Sequence, residues 1–268
     1  MSTRRSERDQ NRRVYGQNFL RDPKSLRRMV EVARVGREDL VFEVGAGEGV
    51  LTEVLADSAR YVVTHEVDPH LARALEPKLR RWDNVELDFG DFLEVLPAAE
   101  PFKVVANIPY AITSAIVDWC LDARYLTSAT LMTQLEYARK RSGWYGRWSQ
   151  RTVETWPLFS WELCGKVPRE HFRPVPKVDS GILHIARRDK PLLRPRELRD
   201  YEKLVALGFT GIGGTLRASL SKMYTPKRVA NAFDQVGLRQ DTVVAFAHPD
   251  VWVDLYRALN PAPARPRR

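Results

Sequence analysis

The sequence predicts an α/β fold, with a mostly parallel sheet covered by helices and a small helical domain at the C-terminus. Three observations carry this expectation. Short apolar runs alternate with segments of helical period through the first two-thirds of the chain, the pattern of a sheet covered on both faces. A glycine-rich turn joins the first run to the helix after it, as happens where a ligand approaches the backbone closely. After Ile185 the β pattern gives way to a basic, proline-bearing stretch and then to helical periodicity alone. A chain of 268 residues can bury such a core and an appendage.

Asp39–Val44 is a short apolar strand that ends in Gly45-Ala46-Gly47-Glu48-Gly49. Val50 to Arg60 follows as a helix, with apolar residues at Leu51, Val54 and Leu55. Tyr61–Glu66 is the next strand, and Asp68-Pro69 caps the helix after it. Val85–Asp88, Lys103–Ala106 and Ala129–Thr133 complete the parallel set, while Leu158–Val167 and Asp179–Ala186 add an antiparallel hairpin at one edge. Beyond them Tyr201, Leu204, Val205 and Leu207, then Val229, Phe233 and Val236, mark helices. The expected organisation is a basic flexible arm over 1–14, a catalytic domain over 15–186, a linker over 187–199, a helical domain over 200–260 and a disordered basic tail over 261–268.

The net charge of +9 is clustered. Met1 to Arg28 holds nine bases against three acids, and Tyr137 to Arg151 holds five bases and no acid, with three aromatics, Trp144, Tyr145 and Trp148, between the bases. Arginines with interleaved rings suit a polyanion whose bases can stack, though a solvated surface would look alike. No apolar run reaches the ~18 residues that cross a bilayer, and no signal-peptide stretch follows the N-terminus, so a cytoplasmic protein is expected. Cys120 and Cys164 stand apart with no nearby ligands, and the five histidines form no metal or triad pattern. No metal is expected.

The glycine turn taken alone is equally an ordinary tight turn. Glu66 sharpens it, because a carboxylate ending the second strand can accept from both hydroxyls of a ribose. A nicotinamide dehydrogenase would share that carboxylate, but with glycines spaced GxGxxG around a pyrophosphate. Here the spacing is GxGxG, and Glu43 before it would repel a pyrophosphate; a cationic sulfonium fits better. Asp91, just past the third strand, can accept from an adenine amino group, with Phe92 packed on the ring. Asn107-Ile108-Pro109-Tyr110 ends the fourth strand. An adenine N6 is a poor nucleophile because its lone pair is delocalised. The Asn107 side-chain oxygen and the carbonyl of Ile108 or Pro109 can accept its hydrogens and steer it toward tetrahedral geometry. Pro109 stiffens the turn, and Tyr110 offers a face for a flipped base.

These motifs, with Gln17-Asn18-Phe19-Leu20 before them and Phe172-Arg173-Pro174-Val175-Pro176-Lys177-Val178-Asp179-Ser180 after them, resemble the ribosomal RNA adenine N6-methyltransferase family. That family includes the erythromycin-resistance (Erm) enzymes and the small-subunit dimethyladenosine transferases. The similarity spans about residues 10–186. It implies a class I S-adenosylmethionine methyltransferase fold, Rossmann-like with a mostly parallel seven-stranded sheet, and direct transfer to N6 without metal or covalent intermediate. It implies that Gln17, Asn18, Leu20, Glu43, Gly45, Ala46, Gly47, Glu66, Val67, Asp91, Phe92 and Asn107 hold S-adenosyl-L-methionine. Asn107, Pro109, Tyr110 and Phe172 would receive the target base, Phe172 sandwiching it with Tyr110.

Gly146-Arg147-Trp148-Ser149, Gln134–Arg139 and the tryptophan-rich run Thr155–Glu162 resemble the Erm branch. This implies 23S rRNA as substrate, naked or in assembly intermediates, and resistance to macrolides, lincosamides and streptogramin B. The alternative is a 16S rRNA dimethyltransferase of small-subunit biogenesis; a non-enzymatic assembly factor on a retained scaffold is opposed by the complete motif set. Where many relatives carry basic residues before Thr215-Leu216-Arg217, this chain has Gly211-Ile212-Gly213-Gly214. The expected RNA contacts therefore fall on Arg12, Arg13, Arg139, Lys140, Arg141, Arg147 and Trp148. Nothing demands more than a monomer. Arginine outnumbers lysine 33 to 10, a GC-rich bias consistent with self-protection in an antibiotic producer.

Overall fold

The computed structural model describes residues 17–261, so the expectations for the basic arm and the last residues of the tail, Arg12 and Arg13 among them, lie outside the described residues. A seven-stranded sheet organises the chain in the order β4-β3-β2-β5-β6-β9-β7. Five of its strands are β2 (Leu40–Val44), β3 (Tyr61–Glu66), β4 (Val85–Phe89), β5 (Phe102–Asn107) and β6 (Leu126–Gln134). Leu40 pairs in parallel with Tyr61 on one side and Phe102 on the other. β9 (Ser180–Arg187) runs antiparallel to β6 and separates it from β7 (Phe159–Val167) at the edge. The two late strands therefore do join one edge of the sheet. A separate two-residue ladder pairs β1 (Phe19–Leu20) with β8 (Phe172–Arg173).

Both sheet faces are covered, which is why the strands read as continuous apolar runs rather than alternating ones. On one face Val41, Val62 and Val105 pack with Met29 and Val30 of α1 (Pro23–Ala33) and with Leu51 and Leu55 of α2 (Val50–Ala56). On the other, Phe42, His65, Phe92, Phe102 and Trp119 of α4 (Thr113–Asp122) form an aromatic cluster, with Phe42 and Phe102 rings 5.1 Å apart. Asp22 caps α1 and Asp68 caps α3 (Pro69–Leu79), each followed by the proline that favours a first helical turn. α2 stops at Ala56, short of the expected Arg60, because the amides of Arg60 and Tyr61 already donate to Asp39 O and commit that stretch to the sheet.

The chain divides into two compact units, one running to Ala138 and including Glu162–Arg187, the other comprising Arg139–Trp161 and everything from Arg188 on. The second unit differs from the expected 200–260 domain. Residues 139–161, the first three residues of β7 included, cluster with it, since Tyr201 donates from its hydroxyl to Val153 O and Trp156 from its ring nitrogen to Asp250. The 187–199 segment is not wholly a linker either, because α5 (Pro195–Phe209) begins inside it, closed by Glu197 accepting from the Arg194 amide.

Helix packing in this unit is tight at one glycine. A Cβ at Gly208 of α5 would overlap the ring of fully buried Trp252 and approach Leu216 Cδ1 to 2.9 Å. Gly208→Ala gains about 1 kcal/mol of helix propensity and loses about 1–3 kcal/mol to overpacking. A melting temperature lower by a few degrees is expected by calorimetry; an unchanged or raised value would show that the Trp252 ring gives way.

Candidate active site

The strand order reverses between β2 and β5, the switch point at which open α/β sheets hold ligands beyond the carboxyl ends of their strands. A cleft of about 270 Å³ opens there. The turn after β2 supplies Gly45 and Gly47, the end of β3 supplies Glu66 and Val67, the turn after β4 supplies Asp91 and Phe92, and the end of β5 supplies Asn107 to Tyr110. Gln17 and Asn18 close it from the N-terminal segment.

The glycine turn is pinned at two levels. The amides of Gly45 and Ala46 both donate to His65 O, at 2.9 and 3.0 Å, and the Gly47 amide donates to Glu66 Oε2 at 2.8 Å. Gly47 has φ +59°, and a Cβ there would stand 3.0 Å from the Phe19 ring, so conformation and space both require glycine. Glu66 accepts from the Asp68 amide through its other oxygen, at 2.9 Å. Burial pushes its pKa up, against the pull of those two amide hydrogen bonds. A carboxylate offers about four acceptor sites, and the Gly47 and Asp68 amides take one on each oxygen.

Asn107 is oriented by a contact to the main chain. Its Nδ2 donates to the main-chain carbonyl of Asn18 at 2.9 Å, which turns Oδ1 the other way as an acceptor. Tyr110 follows Pro109 on a short 3-10 turn, and its hydroxyl is 2.7 Å from Ser180 Oγ at the start of β9. The late motif thus reaches the site through Ser180.

Several expected residues stand elsewhere. Phe172 is fully buried in the core beside Met29 and Val30, held there by the β1–β8 ladder, and does not line the cleft. Leu20 lies in the same core, and Ala46 is buried against Leu75 and Leu79; with Glu43 they line a smaller cavity beneath the glycine turn. Glu43 Oε2 accepts from the hydroxyls of Thr52 and Thr64 at 2.6 and 2.7 Å. Burial lifts its pKa to about 8 in spite of those hydrogen bonds, which works against the repelling charge inferred from the sequence. Asp91 caps the following turn by accepting from the Leu93 amide, and Phe92 is buried in the aromatic cluster.

His65 was not singled out by the sequence, yet it lines the cleft with its ring against Phe92 and burial lowering its pKa. Its position next to Glu66 at a strand end is the signal that could have marked it. Of the residues assigned to RNA, Arg139, Lys140, Arg141, Arg147 and Trp148 belong to the second unit. Trp148 packs edge-on against Trp156 and His248, and Arg141 donates to Ser149 Oγ. Both serve to hold that unit together.

The Glu43 environment has a measurable consequence. An unfolded carboxyl loses its proton near 4.5, whereas the folded one keeps it to about 8. The stability this group contributes is therefore complete below 4.5, erodes as pH rises between the two values, and is gone above the upper one. Glu43→Gln, which mimics the protonated group, should raise the melting temperature relative to wild type by several degrees at pH 8.5 and by little at pH 5. A difference between the two proteins that does not grow with pH would refute the assignment.

The cleft fits S-adenosyl-L-methionine on features of its own. The side-chain oxygen of Gln17 is buried without a hydrogen-bond partner, an acceptor suited to the methionine ammonium. Glu66 has acceptor sites to spare for ribose hydroxyls. Among the described residues no cluster of side chains could hold a metal ion.

Comparison with known proteins agrees with this geometry. Residues 8–260 match the family described as ribosomal RNA adenine dimethylase. An rRNA adenine N-6-methyltransferase of Saccharopolyspora erythraea is 52% identical over 256 residues, covering 96% of this chain and 67% of that protein. The mycinamicin-resistance protein MyrB of Micromonospora griseorubida is 36% identical over 260 residues, covering 95% and 81%. The crystal structure of the 23S rRNA methyltransferase ErmE superposes with a TM-score of 0.88 at 51% identity, covering 91% of this chain and all of that one.

Proposed function

The chain belongs to the ribosomal RNA adenine dimethylase family, and from that premise we propose that it methylates N6 of one adenine in 23S rRNA, at the macrolide site near the peptidyl-transferase centre, and so confers resistance to macrolides, lincosamides and streptogramin B. The family is S-adenosylmethionine-dependent, and Gln17, Gly45, Gly47, Glu66 and Asp91 would hold that cofactor across the strand ends. The 23S assignment is supported by the likeness to ErmE and the resistance by the likeness to MyrB.

The observation that carries the reading is the Asn107 amide, turned by the Asn18 carbonyl so that its oxygen faces out as an acceptor. With the carbonyls of Ile108 and Pro109 beside it, that oxygen accepts the N6 hydrogens of a base stacked on Tyr110. Localising the N6 lone pair in this way is what a poor nucleophile needs. S-adenosyl-L-methionine, when bound, would supply an electrophilic methyl group to N6, which would give up a proton in exchange. That proton is acidic once the new bond forms, so no strong base is required. One chain supplies the whole cleft, and we read the enzyme as a monomer of the cytoplasm, where ribosomes are made. No helix among the described residues is long and apolar enough to cross a membrane.

Primer extension on 23S and 16S RNA after incubation with enzyme and cofactor tests the substrate. A stop at the macrolide-site adenine is expected; a stop on 16S RNA instead would move the chain to small-subunit biogenesis. Expression in a macrolide-sensitive host should raise its resistance, and unchanged susceptibility would remove that role.

A further inference from the structure

The aromatic residues between Arg139 and Trp148 divide into two kinds. Trp148 is an anchor: its amide donates to Ala245 O at 2.8 Å, its ring meets Trp156 and His248 edge-on, and Gly143 lies so close that a Cβ there would sit 2.5 Å from the indole. The loop in front of it is held at both ends, by Trp144 N–H donating to Arg139 O at 3.1 Å and Gly146 N–H to Gly143 O at 2.9 Å. At its tip Trp144 and Tyr145 are 58% and 59% exposed.

Large rings left in water forgo roughly 25 cal/mol per Å² of apolar surface, and a loop this well anchored has no need of them for its own packing. Their setting is cationic. The Arg139 guanidinium lies 5.8 Å from both ring centroids and donates to the Tyr145 hydroxyl, and Arg147 lies 5.3 Å from the ring of Phe246, itself 51% exposed. Tyr137 to Arg151 contains five bases and no acid. Open π-faces beside fixed cations match a polyanion with unpaired bases, because a duplex hides the faces of its bases in the stack.

We propose that Trp144, Tyr145 and Phe246 form a stacking platform for single-stranded nucleotides of the substrate RNA other than the target adenine. This rests on the reading of the chain as an rRNA methyltransferase. It names unpaired RNA as what the second unit recognises, and it assigns the recognition to Trp144 and Tyr145 rather than to Trp148, which the fold uses.

The test is the double variant Trp144→Ala, Tyr145→Ala, with binding measured by fluorescence anisotropy across a salt series. The probes are a 23S hairpin with an unpaired loop and a fully paired duplex of the same length. The variant should bind the looped hairpin about ten- to hundredfold more weakly, bind the duplex within about twofold, and keep the wild-type salt slope. Cofactor affinity by calorimetry and the melting temperature should match wild type. Unchanged affinity for the loop, or equal loss for both RNAs, overturns the proposal. So does wild-type binding of naked RNA combined with lost methylation of protein-bearing ribosomal particles, which would make the patch a protein contact. A wild-type enzyme that prefers the loop through these rings yet methylates no RNA would support the platform and sink the enzymatic reading.

Discussion

Replacing Asn107 by alanine is expected to lower kcat for RNA methylation by about a thousandfold or more, the scale of losing one preorganised polar contact to a reacting group. The side chain has two jobs, and the structure separates them. Nδ2 is spent on the Asn18 carbonyl, which leaves Oδ1 for the role proposed for it, accepting from the target amine. The fold should survive, since only one hydrogen bond of about 1 kcal/mol is lost. Asn107→Asp makes the sharper test. It keeps an acceptor but sets an oxygen against the Asn18 oxygen, so it should also fall well below wild type. Single-turnover methylation of a 23S fragment, with the melting temperature as control, measures both; an alanine variant of wild-type rate would remove Asn107 from the chemistry.

Glu66→Ala should weaken cofactor binding by at least about a hundredfold, because two charge-assisted hydrogen bonds to a ribose would go, each worth about 1.5–3 kcal/mol. It should also lower stability, since the Gly47 and Asp68 amides that now donate to the carboxylate would be orphaned. Calorimetric titration with S-adenosylhomocysteine, beside a thermal melt, separates the two losses. A destabilised variant that still bound cofactor at wild-type affinity would reduce Glu66 to a strut of the glycine turn. The conservative Glu66→Gln is no rescue, because its NH2 would face one of those amide donors.

The sheet was legible because strands buried on both faces carry short apolar runs, as Leu40–Phe42 of β2, Tyr61–Val63 of β3 and Val104–Ala106 of β5 do. The cleft was legible because each strand end carries a polar residue next to a turn: Glu66, Asp91, Asn107. What escaped depends on contacts distant in sequence. The ladder that joins Phe19–Leu20 to Phe172–Arg173 is two residues long and leaves no periodicity, so nothing in the motif around Phe172 betrays that its ring faces the core. Trp144 and Trp148 are four residues apart with the same basic neighbours, and only the approach of His248 and Trp156 makes one an anchor and the other a tip. β6 and residues 139–158 follow closely in sequence but fall in different units, because partners of that segment lie beyond Arg188.

The hold on Asn107 by Asn18 comes from the main chain. Every amino acid brings a carbonyl of its own, so no side-chain exchange at position 18 deletes that acceptor, and a saturation library there would report on the amide of residue 18 alone. The orienting oxygen would surface only under backbone surgery, such as an ester in place of the peptide link between residues 18 and 19, which weakens the carbonyl as an acceptor while leaving every side chain as it was.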